Sequence, residues 1–316
     1  MRQSAQDAAA SPLKTRNRRP AAAVVRGFVR SAQDAAAYLL KTRNRRPAAA
    51  VVRGFVKGLL VIGLFAGALA TAQPGLAPPE IGYLRDNAGN MRPLHGISGT
   101  FWLGDVAAVG VDGVASSGRA SMVLTRQGLR VLDASGHPVG RTWPAAGPVL
   151  FAFTSAGAPA LVWLSSSQEL LRWNGLQFER LSIDPGVLSG TAVSLAAPDL
   201  GRAAFLVQRG EQLWRVDLSL LDGSVLASEN IPAAAAPVIL LDDGTIVYAR
   251  ASQDIVIRNP QGMERSVPFS GSPAALTLLG QDWILAESGS PQIHSALRLG
   301  TGALFELPEP AGMRLR

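Results

Sequence analysis

None of the 316 residues is cysteine. That removes disulfides, thiolate catalysis and thiolate metal sites together, so the folded part must hold by burial alone. It also removes the lipid-attachment residue that a bacterial lipoprotein needs just after its signal. Histidine is nearly as scarce: His95, His137 and His294 are too few and too scattered for a close-spaced metal motif, and loss of any one is expected to be tolerated. No Gly-x-Ser-x-Gly elbow is present, since Gly96-Ile97-Ser98-Gly99-Thr100 lacks the final glycine. There is no Walker-type loop and no dinucleotide fingerprint in a βαβ setting. The sequence nominates no catalytic group, no metal ligands and no cofactor, which points away from an enzyme.

Lysine is absent after residue 57, because Lys14, Lys41 and Lys57 all lie in the first segment. Charge is split the same way. Residues 1–57 carry 13 of the 30 Lys and Arg against only Asp7 and Asp34, a net +11, while the remainder is −4. The pI of about 10.6 therefore belongs to the leader, and a nucleic-acid partner is not expected for the folded part.

Within the leader, 4–29 and 31–56 are the same 26 residues, differing only where Ser11-Pro12 becomes Tyr38-Leu39. Dense arginine and few apolar residues make each copy a candidate for disorder or a frayed helix, or for a mis-called start. Gly58 to Thr71 is an uncharged run of 14 residues, short for a membrane span of roughly 20 but suited to a signal-peptide apolar region over 58–72. Ala70-Thr71-Ala72 supplies the small-x-small pattern of a signal-peptidase site, placing the cut between Ala72 and Gln73. Left uncut, the same segment would be a signal anchor at the inner membrane, the only membrane contact expected.

What remains is repetitive. An apolar strand, an Asp or Asn turn with a nearby glycine and a second strand recur with turn residues at Asp86, Asp133, Asn174, Asp217, Asn259 and Gly300, in steps of 47, 41, 43, 42 and 41. A second hairpin fills each gap, as in Ser117-Gly118 to Leu124 and Asp243-Gly244 to Tyr248. A period near 42 with all-strand texture predicts an all-β, radially repeated fold, a β-propeller over residues 80–310. A β-sandwich shares the short strands and Gly/Pro turns but does not demand so regular a step. Ala197-Pro198-Asp199-Leu200-Gly201-Arg202 followed by an apolar strand resembles the Ser-Pro-Asp-Gly turn of the TolB-type propeller repeat, with one residue inserted; Leu241-Asp242-Asp243-Gly244 is the other close copy. The resemblance implies an architecture and transfers no activity.

Each unit divides into four strands. The innermost are expected at Val106–Val111, Val149–Phe153, Ala192–Leu195, Val238–Leu241 and Ala275–Leu278, nearly continuous apolar runs buried on both faces. That gives five complete units plus a hairpin at Ile81–Ile97. The ring thus has five to six four-stranded blades, depending on whether the hairpin caps the last unit or makes a blade of its own.

One polar feature is periodic: Gln127, Gln168, Gln212, Gln253 and Gln292 each precede a third strand, at steps of 41, 44, 41 and 39. In a propeller such turns share one face, and a ring of amides could hydrogen-bond a polar ligand or a partner protein; alternatively each glutamine serves its own turn. Of the tryptophans, Trp163, Trp173, Trp214 and Trp283 fall inside apolar strands and are expected to fill the wedges between blades. Trp102 and Trp143 lie nearer loops and are the candidates for contact. Asp105 and Asp242 stand only at strand edges, which disfavours the axial metal of lactonase-like propellers. The reading is an exported, non-catalytic propeller in the periplasm or outside the cell that binds or assembles partners, with a propeller hydrolase using a loop-built site and a signal-anchored envelope protein as alternatives.

Overall fold

A computed structural model describes residues 79–308 apart from 98, 233, 251–252 and 290–292. The duplicated leader, the apolar segment 58–72 and the junction at Ala72 and Gln73 lie outside the described residues, as does Gln292. The described residues are all-β, with six antiparallel sheets in sequence order arranged as the blades of a propeller. Blade 1 holds β1 (Glu80–Arg85), β2 (Met91–Ile97) and β3 (Thr100–Leu103). Blade 2 holds β4 (Val111–Ser116), β5 (Ala120–Thr125), β6 (Gly128–Asp133) and β7 (Pro138–Trp143). Blade 3 holds β8 (Val149–Phe153), β9 (Pro159–Leu164), β10 (Glu169–Trp173) and β11 (Phe178–Leu181). Blade 4, with the longest strands, holds β12 (Thr191–Asp199), β13 (Arg202–Arg209), β14 (Gln212–Ser219) and β15 (Val225–Ile231). Blade 5 holds β16 (Ala235–Leu240), β17 (Ile246–Ala249), β18 (Asp254–Arg258) and β19 (Glu264–Pro268). Blade 6 holds β20 (Pro273–Gly280), β21 (Trp283–Ser288), β22 (His294–Arg298) and β23 (Ala303–Glu306).

The apolar runs follow from the wedge between blades. Successive side chains on a strand point to opposite faces, and in a propeller both faces of a second strand meet a neighbour. Along β13, Ala203, Phe205 and Val207 join the core shared with blade 3, whereas Ala204 and Leu206 join the core shared with blade 5. β9 divides likewise, Leu161 and Trp163 toward blade 4, Val162 and Leu164 toward blade 2. The hydrophobic core is thus six layers, one per interface, and each fully buried Leu, Val or Phe side chain stabilises by about 1.5–3 kcal/mol.

The first hairpin forms a blade of its own, and that blade is unlike the rest. The inner strands of blades 2–6 start at one face, here called upper, and end at the other. β1 runs the other way: Tyr83 N donates to Ser116 Oγ (3.1 Å) and Arg85 Nε to Val111 O (2.6 Å), so β4 is met in reverse order. That is the direction of a second strand, and blade 1 among the described residues has second, third and fourth strands but no first. β4 and β20 approach each other directly, closing the inner wall with five strands, and β1 wedges against both. A methyl group on Gly82 would overlap the Leu279 carbonyl, so only glycine admits this approach.

The expected inner strand Val106–Val111 is displaced. The strand is Val111–Ser116, while Val106 and Val109 are exposed in the connection that also carries Asp105. An apolar run is not what the axis selects there. Asp112 can face the channel water, and Gly113 is tolerated because a Cβ would come within 3.2 Å of the Val149 side chain.

Candidate functional site

The axial channel opens at both faces, and the mouths differ. The lower cavity, about 400 Å³, is bounded by the Asp242-Asp243 turn, Asn259, Gln281 and Asp282. Burial pushes the Asp242 carboxyl up from its ordinary value, and Asp243 is occupied holding Thr245 N (2.8 Å) and Thr245 Oγ1 (3.0 Å). Gln281 Nε2 reaches from blade 6 to Ser155 O on blade 3 (3.3 Å), bridging non-adjacent blades across this mouth.

The upper cavity, about 410 Å³, has apolar walls from the inner strands, Ser194 from blade 4, and its charged and imidazole groups from blades 1, 2 and 6: Arg85, Asp86, Asp112, Glu287 and His294, with Asn87 beside them. Asp86 is structural. Its Oδ1 accepts from Ala88 N (2.9 Å) and Asn90 N (2.8 Å), its Oδ2 from Asn90 Nδ2 (3.1 Å) and Arg92 Nε (3.0 Å). Burial works against its charge, but these donors outweigh it and hold the carboxyl below its ordinary value. His294 is the opposite case. It is only 6% exposed, pairs across the β21–β22 ladder with Glu287, and places Nδ1 3.5 Å from Glu287 Oε1, with no hydrogen-bond partner at either ring nitrogen. The three histidines stand in different surroundings: His137 is an exposed turn residue, His95 stacks on Trp102, and His294 is buried at the channel. A lone histidine carries no spacing signal, so only the three-dimensional pairing with Glu287 singles it out.

Four of the five glutamines occupy the turns between second and third strands. Gln127, Gln168, Gln212 and Gln253 are all exposed there, and these turns open on the upper face, beside the start of each inner strand. Part of their work is local. Gln127 Oε1 accepts from Arg130 (2.6 Å), and Gln168 and Gln253 take the left-handed turn conformation at φ 53° and 66°. The tryptophans divide less evenly than expected. Trp163 is buried edge-on to Phe205, but Trp173, Trp214 and Trp283 are only half-buried. Trp214 carries Arg209 5.1 Å over its ring, which corrects its place in the core: β14 turns this side chain toward the upper rim. Trp102 is 40% exposed on the outer strand of blade 1, and Trp143 ends β7 half-buried against the core between blades 2 and 3.

No family model matches the chain, and no curated protein does. Among solved structures it is similar to one from a nidogen/laminin complex, at 15% identity over 71% of this chain and 91% of that one, TM-score 0.45. It is also similar to a streptogramin B lyase, at 13% identity over 73% and 83%, TM-score 0.42. TolB from Acinetobacter baumannii is similar at 18% identity over 59% of this chain and 48% of that chain, TM-score 0.39. The fold is read from the chain's own sheets, and no activity or partner passes from these structures to it.

Proposed function

We propose that the chain is an exported, non-catalytic propeller that acts as a binding or assembly scaffold in the cell envelope or outside the cell, with the upper face as its contact surface. The observation that carries the reading is the gathering of Gln127, Gln168, Gln212 and Gln253 from four blades onto the face that also holds the open, polar-rimmed mouth. Amides donate and accept, so such a rim suits a polar ligand or the backbone of a partner chain. Export rests on the uncharged run after Lys57 and the Ala70-Thr71-Ala72 site. An anchored form differs only in whether the bond before Gln73 is cut.

The test is affinity purification from the envelope fraction, followed by titration of the recovered partner against the wild type and the Gln168→Ala/Gln253→Ala double variant. Folding should be unchanged and affinity should fall tenfold or more, because two partner groups lose their hydrogen bonds at about 1–3 kcal/mol each. Equal affinity removes the glutamines from the contact surface. Recovery of the chain only from the cytoplasm overturns export.

A further inference from the structure

We propose that the upper cavity is a binding site for a small organic ammonium, a primary amine carried on an apolar body. The site stands apart from the glutamine rim and does not depend on a partner there. A cavity of about 410 Å³ lies in the range that holds small ligands. Its walls are Phe151, Val238, Leu276 and Leu278 from three inner strands, which favour an apolar body.

The head group follows from the charges. Asp86 is balanced by Arg92 at 3.0 Å, and Arg85 turns its Nε to the Val111 carbonyl. Two carboxylates, Glu287 and Asp112, then line the cavity against one guanidinium. Glu287 Oε1 lies 3.5 Å from His294 Nδ1, and neither imidazole nitrogen has a hydrogen-bond partner although the residue is 94% withdrawn from solvent. An ammonium has three donors and a full positive charge, so it can pair with the Glu287 carboxylate that stands beside the His294 ring. A carboxylate ligand meets like charge, and an alcohol brings no charge to set against Glu287.

The test uses the full chain and three probes of similar shape: 2-phenylethylammonium, 2-phenylethanol and phenylacetate, followed by calorimetry and by the ring resonances of labelled His294. The amine should bind at least tenfold tighter than the alcohol, phenylacetate should not bind, and only the amine should move the His294 signals. Glu287→Gln keeps the shape and should weaken the amine at least tenfold. Equal binding of amine and alcohol, preference for phenylacetate, no binding by the amine at millimolar concentration, or binding that leaves the His294 signals in place each overturns the proposal. Should Glu287→Gln not fold, the three-probe comparison and the His294 signals in the wild type decide alone.

Discussion

Replacing Trp163 by alanine tests the claim that the ring is held by the wedges between blades. Trp163 projects from β9 into the interface with blade 4, is 4% exposed, and meets Phe205 edge-on with ring centroids 5.4 Å apart. Truncation removes the transfer term for a buried indole and leaves a cavity, together about 3–5 kcal/mol, which includes the aromatic pair. At ~2–4 °C per kcal/mol for a domain of this size, Tm should fall by about 6–20 °C. Trp214→Ala is the internal control. That ring is half-buried with Arg209 5.1 Å above it, so its loss should cost about 1–2 kcal/mol, from partial burial and the cation–π contact. Thermal and urea unfolding of both variants beside the wild type provide the measurement. Equal destabilisation, or a larger effect at Trp214, would refute the assignment of the core to the blade interfaces.

Ser194 Oγ accepts from Leu240 N (2.8 Å) across the interface of blades 4 and 5, so Ser194→Ala should strand a buried amide at about 1–3 kcal/mol. Thermal melting and faster hydrogen exchange at Leu240 would report it, and an unchanged exchange rate would contradict the bond. Glu264 accepts from Arg258, Tyr248 and Arg250, which pull its carboxyl down to about 2 from an ordinary 4.5. A carboxylate depressed on folding stabilises above its unfolded value and loses that contribution as pH falls from 4.5 toward 2. Its side chain is 33% open to solvent, so after screening the contribution is about 1 kcal/mol, and Glu264→Gln should flatten this part of the acid-stability curve. A variant with the wild-type acid profile would show the cluster to be inert.

The repeat was legible because each blade needs the same two signals, a turn residue with positive-φ glycine and strands apolar on both faces. Asp133 to Gly136 and Asn259 to Gly262 show the first, with Gly136 N donating to Asp133 O and Gly262 N to Asn259 O. Radial position was not legible. The hairpin at Asp86 carries the same local signature as that at Asp133, yet its leading strand takes the direction of a second strand in blade 1 while β6 is third in blade 2. Turn chemistry is local and records no distance from the axis. The same limit explains Val106–Val111, since apolarity alone cannot separate a channel strand from a connection. The glutamines could be placed on their turns from spacing, but the His294–Glu287 pair arises from the β21–β22 register, which a single sequence does not encode in any short motif.

Because β1 runs against the inner strands of blades 2–6, the described residues begin at one face of the ring and end at the other. Glu80 sits with the lower turns Gly118 and Asp133, while Leu307 N bonds to the His294 carbonyl at the upper mouth. The molecule therefore has a polarity that a tether would convert into orientation. Within the described residues, Glu80 stands on the side of the bridged mouth and Leu307 on the side of the open one.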